Sequence, residues 1–132
     1  MTDIVIIAHR GIGEALCEVA EVILDRKVNV TLLPVREGDD PERSLERLVA
    51  ALERWRDVEP PLIITDLPGA TPHNLAIKAV AVVLNGAPVL TGLNLPMLLR
   101  ALNHRQQPAA ALAELAAQGA HAATFVGDHL ED

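Results

Sequence analysis

A histidine stands directly after the first apolar run of the chain. Ile4 to Ala8 are five consecutive apolar residues, and His9 follows them. Such a run predicts a strand buried on both faces, as in a parallel sheet covered by helices. Ligands bind at the carboxyl ends of strands in such sheets, so an imidazole at this place is well positioned for chemistry. A histidine that only satisfies a loop hydrogen bond is the alternative for this residue taken alone.

The same pattern recurs later in the chain with a carboxylate. The apolar run Leu62 to Thr65 predicts another buried strand, and Asp66 follows it. If the two strands are parallel neighbours, His9 and Asp66 emerge at the same edge of the sheet, roughly 5 Å apart before side-chain reach is counted. We therefore expect the carboxylate to meet the imidazole.

A carboxylate bonded to one ring nitrogen of a histidine fixes the tautomer and leaves the other nitrogen free to attack phosphorus. The transferred phosphoryl group then needs donors for its oxygens. The helix predicted to start near Thr71 offers a hydroxyl and unpaired backbone N–H groups, and Gly69 lets the backbone come close. Arg10, beside His9, is a candidate positive charge. The predicted catalytic residues are therefore His9, Asp66 and Thr71. The predicted phosphate-binding residues are Arg10, Gly69, Ala70 and Thr71.

Each of these residues also has a purely structural interpretation. Asp66 could stabilise a turn, Arg10 could point into solvent, and the sequence from 69 to 72 could be an ordinary helix start. We favour the functional interpretation because a histidine, an aspartate and a helix N-terminus are all predicted at one sheet edge.

Several kinds of site have no motif in this sequence. There is no G-x-x-x-x-G-K-[ST] loop, and the glycine-containing segment 11–16 lacks the third glycine of a dinucleotide-binding pattern. We therefore expect no cofactor, and a phosphoryl donor that is itself a protein. We also expect no metal site, because the remaining histidines lack metal-ligand spacing and are interpreted as surface or loop residues; these are His73, His104, His121 and His129.

Strands and helices are predicted to alternate along the chain, which favours one α/β domain over residues 1–132. We expect a three-layer sandwich with a mainly parallel four-stranded sheet and helices on both faces. The predicted strands cover 4–8, 28–33, 62–65 and 88–91, and the second lies nearer a sheet edge than the first.

The predicted helices begin near residues 12, 41, 72 and 97, and the last one covers Ala109 to Ala117. Apolar residues of the first helix fall on one face, which we expect to meet the core; they are Ile12, Leu16, Val19 and Ile23. In the second helix Asp40 is expected to cap with its carboxylate. In the third, Thr71 is expected at the N-cap and Pro72 at the first helical position.

Composition excludes some partners and suggests a compartment. The formal net charge of −7 repels nucleic acids and acidic membranes, and Trp55 and Phe125 are too few aromatic residues for base stacking. No apolar run approaches the roughly 20 residues that span a bilayer, and no basic segment opens a signal peptide. The single cysteine, Cys17, fits a reducing compartment. We expect a cytoplasmic protein without membrane insertion.

Three segments together resemble the IIA component of the mannose family of the bacterial phosphoenolpyruvate-dependent sugar phosphotransferase system. They are the strand followed by His9-Arg10-Gly11, the segment Asp66-Leu67-Pro68-Gly69-Ala70-Thr71-Pro72-His73-Asn74, and the segment Gly92-Leu93-Asn94-Leu95-Pro96-Met97-Leu98. The resemblance covers essentially the whole chain. It departs at Ala70, where the family usually has glycine, and at His73, where it has phenylalanine.

The resemblance implies a phosphocarrier, and therefore a phosphotransferase. His9 would be phosphorylated by the phosphocarrier protein HPr and would pass the group to a histidine of a IIB component. Asp66 would orient His9, and Thr71 matches the family's hydroxyl residue. The family is typically a homodimer in which a C-terminal strand, here Ala122 to Val126, is added antiparallel to the partner's sheet. A phosphotransferase subunit of a dihydroxyacetone kinase system and a non-catalytic regulatory module of the same fold are the alternatives.

Overall fold

Four parallel strands form one sheet, in the order β2-β1-β3-β4, in a computed structural model that describes residues 1–127. The strands are β1 (Ile4–His9), β2 (Thr31–Val35), β3 (Leu62–Thr65) and β4 (Val89–Thr91). The helices are α1 (Ile12–Leu24), α2 (Pro41–Leu52), α3 (Thr71–Val83), α4 (Leu95–Leu102) and α5 (Ala109–Ala122), and a 3₁₀ turn, Glu53–Trp55, follows α2. The predicted α/β class and mainly parallel four-stranded sheet are confirmed.

The central strand β1 is buried because helices cover both of its faces. Ile4, Ile6 and Ala8 pack into a core shared with α1, α4 and α5. Val5 and Ile7 point the other way, into a core shared with α2 and α3. This alternation produces the predicted three layers, and it explains why β1 is apolar at every position from Ile4 to Ala8 rather than at every second one.

The second strand lies at a sheet edge, as predicted, but it begins three residues later than the sequence suggested. Pairing with β1 starts at Thr31, which is opposite Val5. The segment before it is held by side chains instead: the Val28 N–H donates to a carboxylate oxygen of Glu21. This hydrogen bond takes the place of strand pairing before Thr31. The alternation of apolar and polar residues in the sequence does not reveal it.

The buried face of α1 differs from the predicted one. Gly13 and Ala20 are buried, whereas Ile12, Val19 and Ile23 are 39%, 44% and 53% exposed. The cause is the close approach of the helix to the sheet. A Cβ on Gly13 would lie 3.0 Å from Leu32 Cδ2 and 3.1 Å from Ile6 Cγ2, so a larger residue does not fit at that position. Of the four residues predicted on the buried face, Leu16 packs against the core and the other three are turned outward.

Two helix starts also differ from the prediction in detail. The N-cap of α3 is Ala70, so Thr71 is the first helical residue and Pro72 the second. Asp40 is the N-cap of α2, as predicted, but its carboxylate makes no capping hydrogen bond. Both helix starts therefore lack a side-chain cap.

The last helix extends further than predicted, to Ala122. Residues 124–127 have no regular secondary structure in the single chain, so no fifth strand is present in this part of it. An antiparallel strand added to a second copy stays a prediction. None of the helices within residues 1–127 combines the length and apolar character needed to cross a bilayer.

The outward turn of α1 can be tested by unfolding in denaturant. Ile23→Ala removes a half-exposed side chain, and we expect it to change the free energy of unfolding by no more than about 0.5 kcal/mol. Leu98→Ala removes a side chain that is 0% exposed in the same layer, and we expect a loss of about 2–5 kcal/mol. Equal losses in the two variants would contradict the burial described for α1.

Candidate active site

The carboxyl ends of β1 and β3 bring a histidine and an aspartate together. The strands are parallel neighbours, with Ile7 opposite Thr65 at the last paired position. Beyond it, His9 Nδ1 lies 2.7 Å from Asp66 Oδ2, and the His9 backbone N–H donates to the same oxygen at 3.1 Å. The contact expected from the two strand ends is present in the structure. It joins residues 57 positions apart in sequence.

The environment of Asp66 keeps its carboxylate charged. Its side chain is only 6% exposed, and its second oxygen accepts the Leu67 backbone N–H at 3.1 Å. Burial alone would raise the pKa of Asp66, but hydrogen bonds from the ring and backbone of His9 outweigh that effect and lower the pKa from its usual value. An ionised carboxylate only accepts hydrogen bonds, so His9 Nδ1 must carry the proton in this contact.

This assignment leaves the Nε2 atom of His9 as the nitrogen with a free lone pair when the ring is neutral. The His9 side chain is 43% exposed, in contrast to its aspartate partner. The imidazole is therefore fixed on one side by Asp66 and accessible to another molecule on the other. This is the arrangement that a nucleophilic nitrogen needs.

The loop between Asp66 and α3 is held by two side chains from the first turn of the helix. The Gly69 N–H donates to His73 Nδ1 at 2.9 Å, and the Asn74 side-chain amide donates to the Gly69 carbonyl at 3.1 Å. Gly69 itself has φ of +80°, a left-handed conformation that favours glycine. His73, interpreted from the sequence as a surface or loop residue, therefore positions this loop together with Asn74. Their positions, four and five residues after Gly69, do not by themselves indicate these contacts in the sequence.

A cavity of about 270 Å³ opens beside His9. Thr71, Pro72 and Leu75 line it from α3, and the segment from the end of β2 into α2 lines the opposite side. The α3 side of this cavity was predicted from the sequence, but the α2 side was not, because nothing in the sequence links residues 35–44 to His9.

The other predicted phosphate-binding residues lie around this cavity rather than in its wall. Gly69 and Ala70 form the turn that leads into α3, directly before Thr71. Arg10 is exposed, and its backbone N–H donates to the Val35 carbonyl at 3.0 Å. Within residues 1–127 its guanidinium takes part in no ion pair, and a role in binding phosphate stays a prediction.

The remaining titratable side chains are spread over the molecule. Across the described part of the chain, no three His, Cys, Asp or Glu side chains are grouped so that they could hold a metal ion. His104 contacts the Arg100 carbonyl on α4, and His121 is exposed at the end of α5. His129 lies outside the described residues. In α1, burial is the main cause of a raised pKa for the Cys17 thiol, which disfavours a reactive thiolate.

The family model EIIA-man, described as "PTS system fructose IIA component", matches residues 3–118 of the chain. No curated protein matches the chain in sequence. Among solved structures, the mannose/sorbose-specific IIA subunit of the phosphotransferase system from Enterococcus faecalis superposes with a TM-score of 0.86 at 24% identity, covering 98% of this chain and 97% of the other.

Two streptococcal structures have the same fold. The phosphotransferase system component EIIA from Streptococcus agalactiae has a TM-score of 0.78 at 25% identity, with 96% of this chain and 97% of the other covered. The PTS IIA protein associated with the fucose utilization operon of Streptococcus pneumoniae has a TM-score of 0.75 at 18% identity, with 95% and 96% covered. The similarity to all three structures extends over nearly the entire chain.

The charge state of Asp66 predicts a pH-dependent contribution to stability. Because its pKa is lowered on folding, Asp66 stabilises the protein above its unfolded pKa of about 3.9, and this stabilisation is lost as the pH falls through the lower folded value. We expect Asp66→Asn to unfold more easily at pH 7, by about 1–3 kcal/mol, and to match the unsubstituted protein in strong acid. Urea unfolding at several pH values measures this. A difference that persists unchanged at low pH would contradict it.

Proposed function

Because the chain belongs to the EIIA-man family of phosphotransferase-system IIA components, we propose that it receives a phosphoryl group from phospho-HPr on His9 and passes it to a IIB component. Family membership places the chain among the phosphoryl-transfer proteins of sugar uptake. The observation that carries the residue assignment is the 2.7 Å contact between His9 Nδ1 and Asp66 Oδ2, which leaves Nε2 to act.

In the proposed reaction the His9 Nε2 lone pair attacks phosphorus. A new N–P bond forms while the N–P bond of the donor phosphohistidine breaks, and the electron pair of that bond returns to the donor imidazole. Positive charge that develops on the His9 ring is stabilised by Asp66, whose carboxylate holds Nδ1–H throughout. Transfer to the IIB histidine repeats the same exchange, with His9 as the leaving group.

The phosphoryl oxygens need donors on the side of His9 that faces the cavity. Thr71 contributes a hydroxyl at the cavity wall, at the first position of α3. The N-terminus of α3 carries partial positive charge and has no side-chain cap, so its first-turn N–H groups are available to an anion. The loop held by His73 and Asn74 presents this helix end to His9 in a fixed position.

The residue assignment is tested by phosphorylation with phosphoenolpyruvate, HPr and its kinase. We expect the protein to gain one acid-labile phosphate and the His9→Gln variant to gain none, because no other nitrogen of the described chain is oriented by a buried carboxylate in this way. His121→Gln is the matched control, and we expect it to be phosphorylated normally since His121 is exposed and distant in sequence from the site. Phosphate on His9→Gln would overturn the assignment.

The acceptor is tested separately. A purified IIB domain of a mannose-family permease should remove the label from the phosphorylated protein and become labelled itself. Transfer to the kinase subunit of a dihydroxyacetone kinase system, with none to IIB, would favour the alternative assignment of the same chemistry. Absence of any phosphorylation of the unsubstituted protein would favour a regulatory binding module.

We also propose that the protein is a homodimer. Support comes from apolar side chains exposed in the single chain, with Phe125 and Val126 after α5 at 73% and 107% exposure and Val22 on α1 at 78%. A second copy that pairs with the segment 122–126 would cover the first two of these side chains and satisfy the backbone of an edge strand.

The dimer is tested by sedimentation. We expect a mass close to twice the chain mass of 14.1 kDa, and we expect deletion of residues 123–132 to yield the monomer while helical circular dichroism is retained. A full-length monomer at micromolar concentration would contradict the proposal.

A further inference from the structure

Two helices begin at the cavity beside His9, one from each side. α3 starts at Thr71 and α2 starts at Pro41, and both residues line the cavity. Neither N-terminus is capped by the side chain of its N-cap residue, Asp40 or Ala70. The partial positive charge of two helix ends is therefore directed toward the same space. Only the α3 end belongs to the site described so far.

A largely buried serine of α2 lines this space, opposite Thr71 of α3. Ser44, the single serine of the chain, is 4% exposed and lines the cavity. Its backbone N–H donates to the Asp40 carbonyl at 2.9 Å, which holds the residue in the first turns of α2. A hydroxyl at the wall of a cavity can donate a hydrogen bond to a group that enters it. In the described part of the chain, the buried hydroxyls without a partner are those of Thr65 and Thr91, and neither residue lines the cavity.

The charges around the cavity indicate what kind of group it accepts. Arg36 is the one lining residue with a permanent positive charge, and Glu37 and Asp39 contribute two carboxylates. These side chains therefore do not attract a free dianion from solution. A phosphoryl group attached to His9 is already tethered, so it needs only neutral donors and helix ends, and these are what the cavity provides.

We propose that Ser44 is a second hydroxyl contact for the phosphoryl group carried by His9, so that the group is held between Ser44 on α2 and Thr71 on α3. The inference rests on the proposed function and extends it to a residue on the second helix. The Ser44 hydroxyl donates to a phosphoryl oxygen, which stabilises the phosphorylated protein and shields phosphorus from water. Hydrolysis, in which water adds to phosphorus, the N–P bond breaks and the ring keeps the electron pair, is slowed.

The test compares Ser44→Ala with a control hydroxyl deletion, Thr91→Val, which removes a buried hydroxyl outside the cavity. Alanine is a good helix former at a helical position, so Ser44→Ala is expected to fold. Three quantities are measured: the equilibrium of phosphoryl exchange with phospho-HPr, the half-life of the phosphohistidine, and the ³¹P chemical shift of the phosphorylated protein. The ³¹P chemical shift reports on the surroundings of phosphorus, and a change in folding stability alone does not alter it.

For Ser44→Ala we expect about a 10- to 100-fold shift of the exchange equilibrium toward HPr, a shorter half-life and a moved ³¹P resonance. Ser44→Thr restores the hydroxyl and should return all three quantities toward those of the unsubstituted protein, while Thr91→Val should leave them unchanged. Ser44→Cys, a second variant of similar size with a weak donor, should behave like Ser44→Ala.

The failure of this inference is distinguishable from failure of the proposed function. If Ser44→Ala exchanges phosphate normally with an unmoved ³¹P resonance, the inference is wrong and His9 remains the phosphorylated residue. If Thr91→Val changes the three quantities as much as Ser44→Ala, the effect is not specific to the cavity and the inference is also wrong. If the unsubstituted protein takes no phosphate on His9, the proposed function itself fails.

Discussion

The hydrogen bond between the buried carboxylate of Asp66 and the ring of His9 determines what the rest of this molecule can do. The carboxylate is itself fixed, because it accepts the backbone N–H groups of His9 and Leu67 as well as the ring. A carboxylate with three donors has little freedom to turn, so the imidazole that it binds has one tautomer and one direction. The protein thus presents a half-exposed imidazole whose tautomer and orientation are fixed from the buried side.

The sheet topology explains why this contact forms where it does. β1 connects to β2 through α1 on one face of the sheet, and β3 connects to β4 through α3 on the opposite face. The connections that leave neighbouring strands β1 and β3 therefore diverge and open a crevice at their carboxyl ends. The helices of the second face, α2 and α3, begin at this crevice. One arrangement of strands supplies the nucleophile, its carboxylate partner and two helix ends for an anion.

The sequence was informative about the strands that carry chemistry and less so about what surrounds them. The apolar runs before His9 and Asp66 predicted their placement because buried parallel strands have a strong composition signal. The face of α1 was predicted only in part: Leu16 packs against the core as predicted, but the apolar pattern does not reveal that Gly13 lets the helix approach the sheet while the other three residues point outward. Ser44 and the Gly69 partner His73 could not be found from spacing alone, since their importance depends on contacts that only the folded chain creates.

The central claim is that Asp66 holds the Nδ1 atom of His9 and leaves Nε2 to carry phosphorus. The most direct measurement is nuclear magnetic resonance of the phosphorylated protein with ¹⁵N-labelled imidazole nitrogens, in which a one-bond coupling identifies the nitrogen joined to ³¹P. The account predicts coupling to Nε2 of His9 and a protonated Nδ1 that is hydrogen-bonded to Asp66. Coupling to Nδ1, or to a nitrogen of any other histidine, would contradict it.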